Sequence, residues 1–304
     1  MPESFKTGSA MVGSVEPAPP AAAPGPSRAL APCHKPVFIL FLVFWATNVV
    51  LLGLGIDQSP GGRWVEGIFL WLAVLTTLLT LGRRLPLQNV ATTALLVAIL
   101  SGIIISVGSV AGIPFGPCVY SDRLGRDLLD LLPSSAAFAQ KKSFNVLPWP
   151  LPLVWIVVIV NGRGIARLIM RPWRKTNYYG FWVIGFTCLL AVILDLSMEP
   201  FAVHVKSYWI WTTAKSVPAW YTAPWVNFLG WFVTALSILA FSIPWLINKQ
   251  PIKQPVDYQP LVNWLLVNSW LMTGNAVHRL WPAVGLGLGA NAVAAFYAIR
   301  GARW

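Results

Sequence analysis

FWVIGFTCLLAVILDLSMEP, residues 181 to 200, is apolar almost without interruption as far as Leu194. A helix of about 20 such residues crosses the hydrocarbon core of a bilayer. Asp195 follows with no break, so it sits within or at the end of the span. An ionisable group there costs roughly 2.5–3.5 kcal/mol on insertion scales and usually marks function. Glu199 stands four residues on, the spacing that puts two side chains on one helix face. Pro200 disfavours helical geometry at the residue before it. Glu199 therefore lies either on that face or on a turn ending the helix. An interfacial aspartate closing a helix, followed by a solvated glutamate, is the plainer reading of the same residues.

The run has company. Apolar stretches near 37–55, 64–81, 88–111, 146–162, 180–198, 225–247, 258–279 and 282–300 give eight candidate helices. The chain has 304 residues, 56% of them hydrophobic and 11% charged, where soluble domains carry about 25% charged residues. A mean hydropathy of +0.65 agrees. The expected fold is all-α, a polytopic membrane bundle of about seven to eight transmembrane helices over residues 36–304. Residues 1–35, with SVEPAPPAAAPGPSRALAP, are Pro/Ala-rich and aperiodic, and predict a disordered cytoplasmic tail. The first apolar run is too long for the core of a signal peptide. In the seventh stretch, NWLLVNSWLMTGN is polar for lipid and should face protein; in the eighth, LGLGANAVAA suits close helix packing.

The net charge of +12 fits basic loops facing anionic lipid. No basic helix or aromatic-basic platform lies outside the spans, so no nucleic-acid partner is expected. With the N-terminus in the cytoplasm, about fourteen Lys and Arg fall inside and about eight outside. The stretch with Arg163, Arg167, Arg171, Arg174 and Lys175, read as a loop, decides that orientation in the cell's inner (plasma) membrane. The 3 cysteines share no spacing that suits a disulfide framework or a zinc site. Nothing calls for a metal or a nucleotide cofactor.

AGIPFGPCVYSDRLG, residues 111–125, interrupts the apolar pattern. Its glycines and prolines allow a tight non-helical turn at the membrane edge. Non-helical backbone at that depth is tolerated where it lines a cavity. Such a turn would present Phe115, Tyr120 and the Asp122–Arg123 pair; a helix stop before an interfacial loop is the simpler alternative. The segment after Pro200 concentrates Tyr208, Trp209, Trp211, Trp220, Tyr221, Trp225 and Trp231. An aromatic belt at the interface accounts for most of that density. Aromatic faces can also line the mouth of a lipid site and stabilise a carbocation. Asn227, early in an apolar span, needs a hydrogen-bond partner and can hold a water.

Taken in order, GIPFGPCVYSDRLG (112–125), PWPLPLVW (148–155), LDLSMEP (194–200), YWIW (208–211) and PWVNFLGW (224–231) resemble the membrane carotenoid-biosynthesis hydratases. These include the γ-carotene and bisanhydrobacterioruberin hydratases. The resemblance covers about residues 37–247. It departs from the family pattern at Cys118, commonly aromatic there, at Glu199, often Asp, and in the insert PSSAAFAQKKSFNV (133–146). It implies hydration of a carotenoid ψ-end group to a tertiary alcohol, with a carotenoid lipid as substrate, the bilayer as setting and other enzymes of the pathway as candidate partners.

The residues suit that chemistry in their own right. Hydrating a trisubstituted alkene takes a proton on one carbon and water on the resulting tertiary cation. Two carboxyls in a medium of low dielectric can hold one proton between them, which equips the pair as a general acid. Asp195 is the expected donor, with Glu199 or Asp122 as partner and Glu66 in reserve. Tyr120, Phe115, Trp209, Trp211 and Trp231 would bind substrate, and Asn227 would orient water. A carotenoid cyclase, which also starts by protonation, and a non-catalytic carotenoid-binding protein are the alternatives. A prenyltransferase is disfavoured, because there is no paired Asp-rich motif for magnesium diphosphate.

Overall fold

Three prolines decide where the central helix begins. Pro148, Pro150 and Pro152 lead into it, and proline is best accommodated in the first turn, where its missing N–H costs nothing. The computed structural model describes residues 31–55, 63–125, 128, 146–214, 216–247 and 255–304. In it the central helix α4 spans Pro150–Ile169, not 146–162. Seven further helices surround it or pack beside it: α1 (Ala31–Gly53), α2 (Arg63–Gly82), α3 (Leu87–Ala111), α5 (Tyr179–Pro200), α6 (Trp225–Leu246), α7 (Gln259–Val277) and α8 (Trp281–Ala302). The chain is an all-α polytopic bundle. Seven of these helices are long and apolar enough to cross a membrane.

The exception is α7, where Asn263, Asn268 and Asn275 lower the hydropathy. All three are buried, as expected of a span that faces protein. Trp264 Nε1 donates to Asn291 Oδ1 of α8 at 2.9 Å. A Cβ at Gly287 would lie 2.7 Å from Ser197 Oγ, so the small residues of α8 do permit close packing. Helix α1 begins at Ala31, inside the stretch expected to be tail; residues 1–30 of that tail lie outside the described residues.

Helix α4 is the most buried of the spans and touches α2, α3, α5, α7 and α8. Arg163 and Arg167, expected in a loop, belong to its last turns. Arg163 is buried, and its guanidinium donates to the Leu246 carbonyl at 2.9 Å. Its long aliphatic stem fits an apolar wall while the head reaches the end of α6.

Helix α5 keeps its helical course through Glu199 to Pro200, which decides between the two readings of Glu199. Pro200 has no N–H for the Leu196 carbonyl. Trp220 Nε1 takes that acceptor at 3.0 Å. The next residues, Phe201–Val205, widen into a π turn, and Asn275 Nδ2 donates to the Ser197 carbonyl at 2.8 Å. Side chains thus replace backbone bonds that proline and the π turn remove. Asp195 and Glu199 consequently share one helical face.

Two short ribbons cap this end of the bundle. Strand β1 (Cys118–Tyr120) pairs antiparallel with β2 (Trp209–Trp211), with Tyr120 opposite Trp209 and Cys118 opposite Trp211. Strands β3 (Ala219–Trp220) and β4 (Ala223–Pro224) form a second ribbon that leads into α6. The connectors after α3 and after α5 therefore lie on the same side of the molecule.

Candidate functional site

Residues alternate across a strand, so β1 and β2 turn Cys118, Tyr120, Trp209 and Trp211 to one face and leave Ile210 exposed on the other. The approach to β1 is held by glycines. Gly112 closes α3 in the left-handed region (φ 71°), its N–H bonded to the Gly108 carbonyl at 2.8 Å. Phe115 then wedges between α3 and α6: a Cβ at Gly108 or at Gly230 would lie 2.8 Å from its ring.

Asn227, near the start of α6, reaches across to α5. Its Nδ2 donates to Asp195 Oδ2 at 2.7 Å and to Glu199 Oε1 at 3.0 Å. Glu199 Oε2 also accepts from Trp209 Nε1 at 3.1 Å and from Trp211 Nε1 at 3.0 Å. Three N–H donors thus converge on Glu199. Asp195 is completely buried, and its Oδ1 has no hydrogen-bond partner.

A cavity of about 40 Å³ opens against Glu199 and Asn227. Aromatic rings wall it: Phe115, Tyr120, Trp155, Trp209, Trp211 and Trp231. Trp155 of α4 and Trp231 of α6 stack with ring centroids 4.5 Å apart. The Cys118 thiol lines the same space, hydrogen-bonded to Tyr120. Burial pushes that thiol up to about 12 and raises the Tyr120 phenol well above its ordinary value, so both stay neutral.

A second cavity, of about 190 Å³ and mostly apolar, runs between α2, α4, α5 and α7. Leu151, Met198 and Trp209 line both cavities and form the wall between them. Near that wall Tyr208 donates to Glu66, and Lys206 forms an ion pair with the same carboxylate. Tyr208 and Trp209 are successive residues, so one side chain serves Glu66 and the next serves Glu199.

The structure brings together Phe115, Tyr120, Glu199, Trp209, Trp211, Asn227 and Trp231 around one cavity. Asp195 touches the cluster through Asn227 but lines neither cavity. Asp122 follows β1 at the correct end of the bundle, yet it is exposed and lines neither cavity. It opens a short 3-10 turn just after β1, and the next residues, Arg123, Leu124 and Gly125, line the larger cavity. By sequence Cys118 is marked only as a departure from the family pattern, and Trp155 and Met198 are not singled out. Trp155 and Cys118 lie in the motifs PWPLPLVW and GIPFGPCVY, where each reads as ordinary packing. Most of the insert, residues 133–145, lies outside the described residues.

An all-helical, multi-pass bundle with a bridged carboxyl pair against an aromatic cavity defines an integral membrane protein with a buried polar site. A family model described as "Carotenoid biosynthesis protein" matches residues 62–294. The chain belongs to that family, and its role lies in carotenoid biosynthesis. The match begins after α1 and reaches into α8, so the family region extends beyond the 37–247 resemblance at its C-terminal end. No curated protein and no solved structure matches the chain.

Proposed function

We propose that the protein is a carotenoid hydratase, a lyase that adds water across the terminal double bond of a ψ-end group to give a tertiary alcohol. The observation that carries this reading is the Asn227-bridged Asp195–Glu199 pair at the wall of an aromatic cavity, next to a long apolar one. One water needs at least about 10–15 Å³, so the smaller cavity accepts water. The larger takes part of a polyene chain, with the end group at the wall of Leu151, Met198 and Trp209. Met198 is unbranched and adaptable, suited to a wall that must yield.

Glu199 is the member of the pair that faces the cavity. The pair, holding one proton, delivers it from Glu199 to the less substituted alkene carbon. The π electrons form the new C–H bond and leave a tertiary cation on the neighbouring carbon. The indole faces of Trp155, Trp209, Trp211 and Trp231 attract that cation through their quadrupoles. Water adds to it and returns one proton to the pair, so the net change is one added water and no redox step. Asn227 holds both carboxyls in register and keeps an oxygen toward the water.

We place the N-terminus in the cytoplasm and the protein in the plasma membrane on the charge asymmetry. Expression in a lycopene-producing host tests the activity. Pigment heavier by one water supports hydration. Pigment of unchanged mass but altered absorption would instead identify a cyclase, and unaltered pigment would leave a binding protein.

A further inference from the structure

At the end of the molecule opposite the carboxyl pair, α5 and α8 leave a lipid-facing groove of about 770 Å³. That size falls in the range of small-molecule sites, about 300–1,000 Å³. Trp182, Phe186 and Leu189 of α5 face Val293 and Tyr297 of α8 across it, and Trp173 of the α4–α5 connector closes its outer end. Exposed apolar rings are ordinary on a membrane protein. The connector is what distinguishes this groove. Arg171, Arg174 and Lys175 alternate there with Trp173, Thr176 and Asn177, which line the groove. Arg174 and Lys175 are exposed, and Arg171 Nε is buried without a hydrogen-bond partner. The connector contains no acid. Among the described residues the carboxylate at this end is Asp257, which is paired with Arg84 at 3.3 Å.

We propose that this groove is a binding site for an anionic phospholipid, with an acyl chain between α5 and α8 and the phosphate at Arg171, Arg174 and Lys175. Each basic residue near an anionic surface favours binding by about fivefold. The groove holds the chain and the connector selects the charge. The site stands independently of the reaction proposed above.

The test is native mass spectrometry of the full chain ejected from nanodiscs of equimolar phosphatidylglycerol and phosphatidylcholine. Wild-type protein should retain phosphatidylglycerol over phosphatidylcholine by at least about tenfold. The triple change Arg171→Gln, Arg174→Gln, Lys175→Gln should abolish most of that preference. If it does not fold, Arg174→Gln and Lys175→Gln, both at exposed positions, should each lower it by about fivefold. Gly289→Phe should lower retention of both lipids, because a Cβ there meets nothing within 4 Å and the ring would enter the groove. Equal retention of the two lipids by wild type, an unchanged preference in the charge variants, or unchanged retention in Gly289→Phe would each overturn the proposal.

Discussion

Asn227 and Glu199, 28 positions apart in sequence, meet at 3.0 Å, and the same amide nitrogen holds Asp195 at 2.7 Å. One side chain of α6 therefore keeps two carboxyls of α5 together. Replacing it with alanine removes the shared donor and leaves two buried acceptor groups facing each other. We expect Asn227→Ala to lower stability by about 1–3 kcal/mol, the usual cost of unsatisfied buried polar groups, and to abolish most hydration. Thermal unfolding in detergent and the ratio of hydroxylated to unhydrated carotenoid measure the two effects. Wild-type values of both would show that the bridge has no role.

Glu199 faces the cavity and Asp195 stands behind it. Glu199→Gln keeps the shape but cannot release a proton to an alkene. Hydration should fall at least about 100-fold, the scale of a general acid. Asp195→Asn should fold and insert normally and lose activity as well, by a smaller factor, since the group that meets the substrate remains. Full activity in Glu199→Gln at equal protein level would move the acid role to Asp195 or Glu66.

Trp211 offers a way to separate charge orientation from ring surface. Trp211→Phe retains an aromatic face but deletes the N–H to Glu199 Oε2, whereas Trp155→Leu deletes a face and touches no carboxylate. If the rings stabilise a cation, Trp155→Leu lowers kcat by about fivefold or more, on the scale of a cation–π contact of about 1 kcal/mol, with KM little changed. A change in KM alone would assign Trp155 to substrate packing.

Gly230 is a tolerance test for the turn before β1. Its Cβ would lie 2.8 Å from the Pro114 carbonyl oxygen as well as from the Phe115 ring. Backbone oxygen cannot swing aside as a side chain can. Gly230→Ala should destabilise the fold by about 1–3 kcal/mol, the range for overpacking, and should impair hydration by displacing Tyr120. Gly285→Ala on α8, where a Cβ meets nothing within 4 Å, is the control and should behave as wild type.

Cys118 supplies a pH test outside the spans. Its folded thiol ionises only at about 12, against 9.0 for the unperturbed group, because burial disfavours the thiolate. The neutral thiol's contribution to stability is complete below pH 9 and is lost as pH climbs toward 12, where the unfolded chain ionises and the folded chain does not. Cys118→Ala should flatten the loss of stability over that window, read from midpoints of thermal unfolding. The thiol should also resist alkylation at pH 8 until the protein is denatured.

How much of this was legible in the residues can be judged helix by helix. Run length and hydropathy set the class and the eight helices, because a bilayer imposes one dominant length on a spanning segment. The i, i+4 spacing of Asp195 and Glu199 marked the pair, and the density of tryptophan marked the segment that covers it. Local rules misplaced the edges of α4. Arg163 and Arg167 read as loop residues, since the charge of a residue such as Arg163 becomes acceptable in a span only when the end of α6 supplies a carbonyl and the stem reaches the boundary.

Only the tertiary structure decided what surrounds the carboxyls. Pro200 left the course of α5 open until Trp220 and Asn275, from distant segments, took the carbonyls freed around it. Asp122 was as plausible a partner as Glu199 by sequence, but it opens a short 3-10 turn just beyond β1 and is exposed, whereas Tyr120 within the ribbon lines the cavity. Trp155 reads as one more apolar residue of α4 until α6 brings Trp231 against it. A sequence determines which groups must leave water and the periodicity of each segment. Which of those groups then touch depends on contacts between elements far apart in the chain, and no local pattern carries that information.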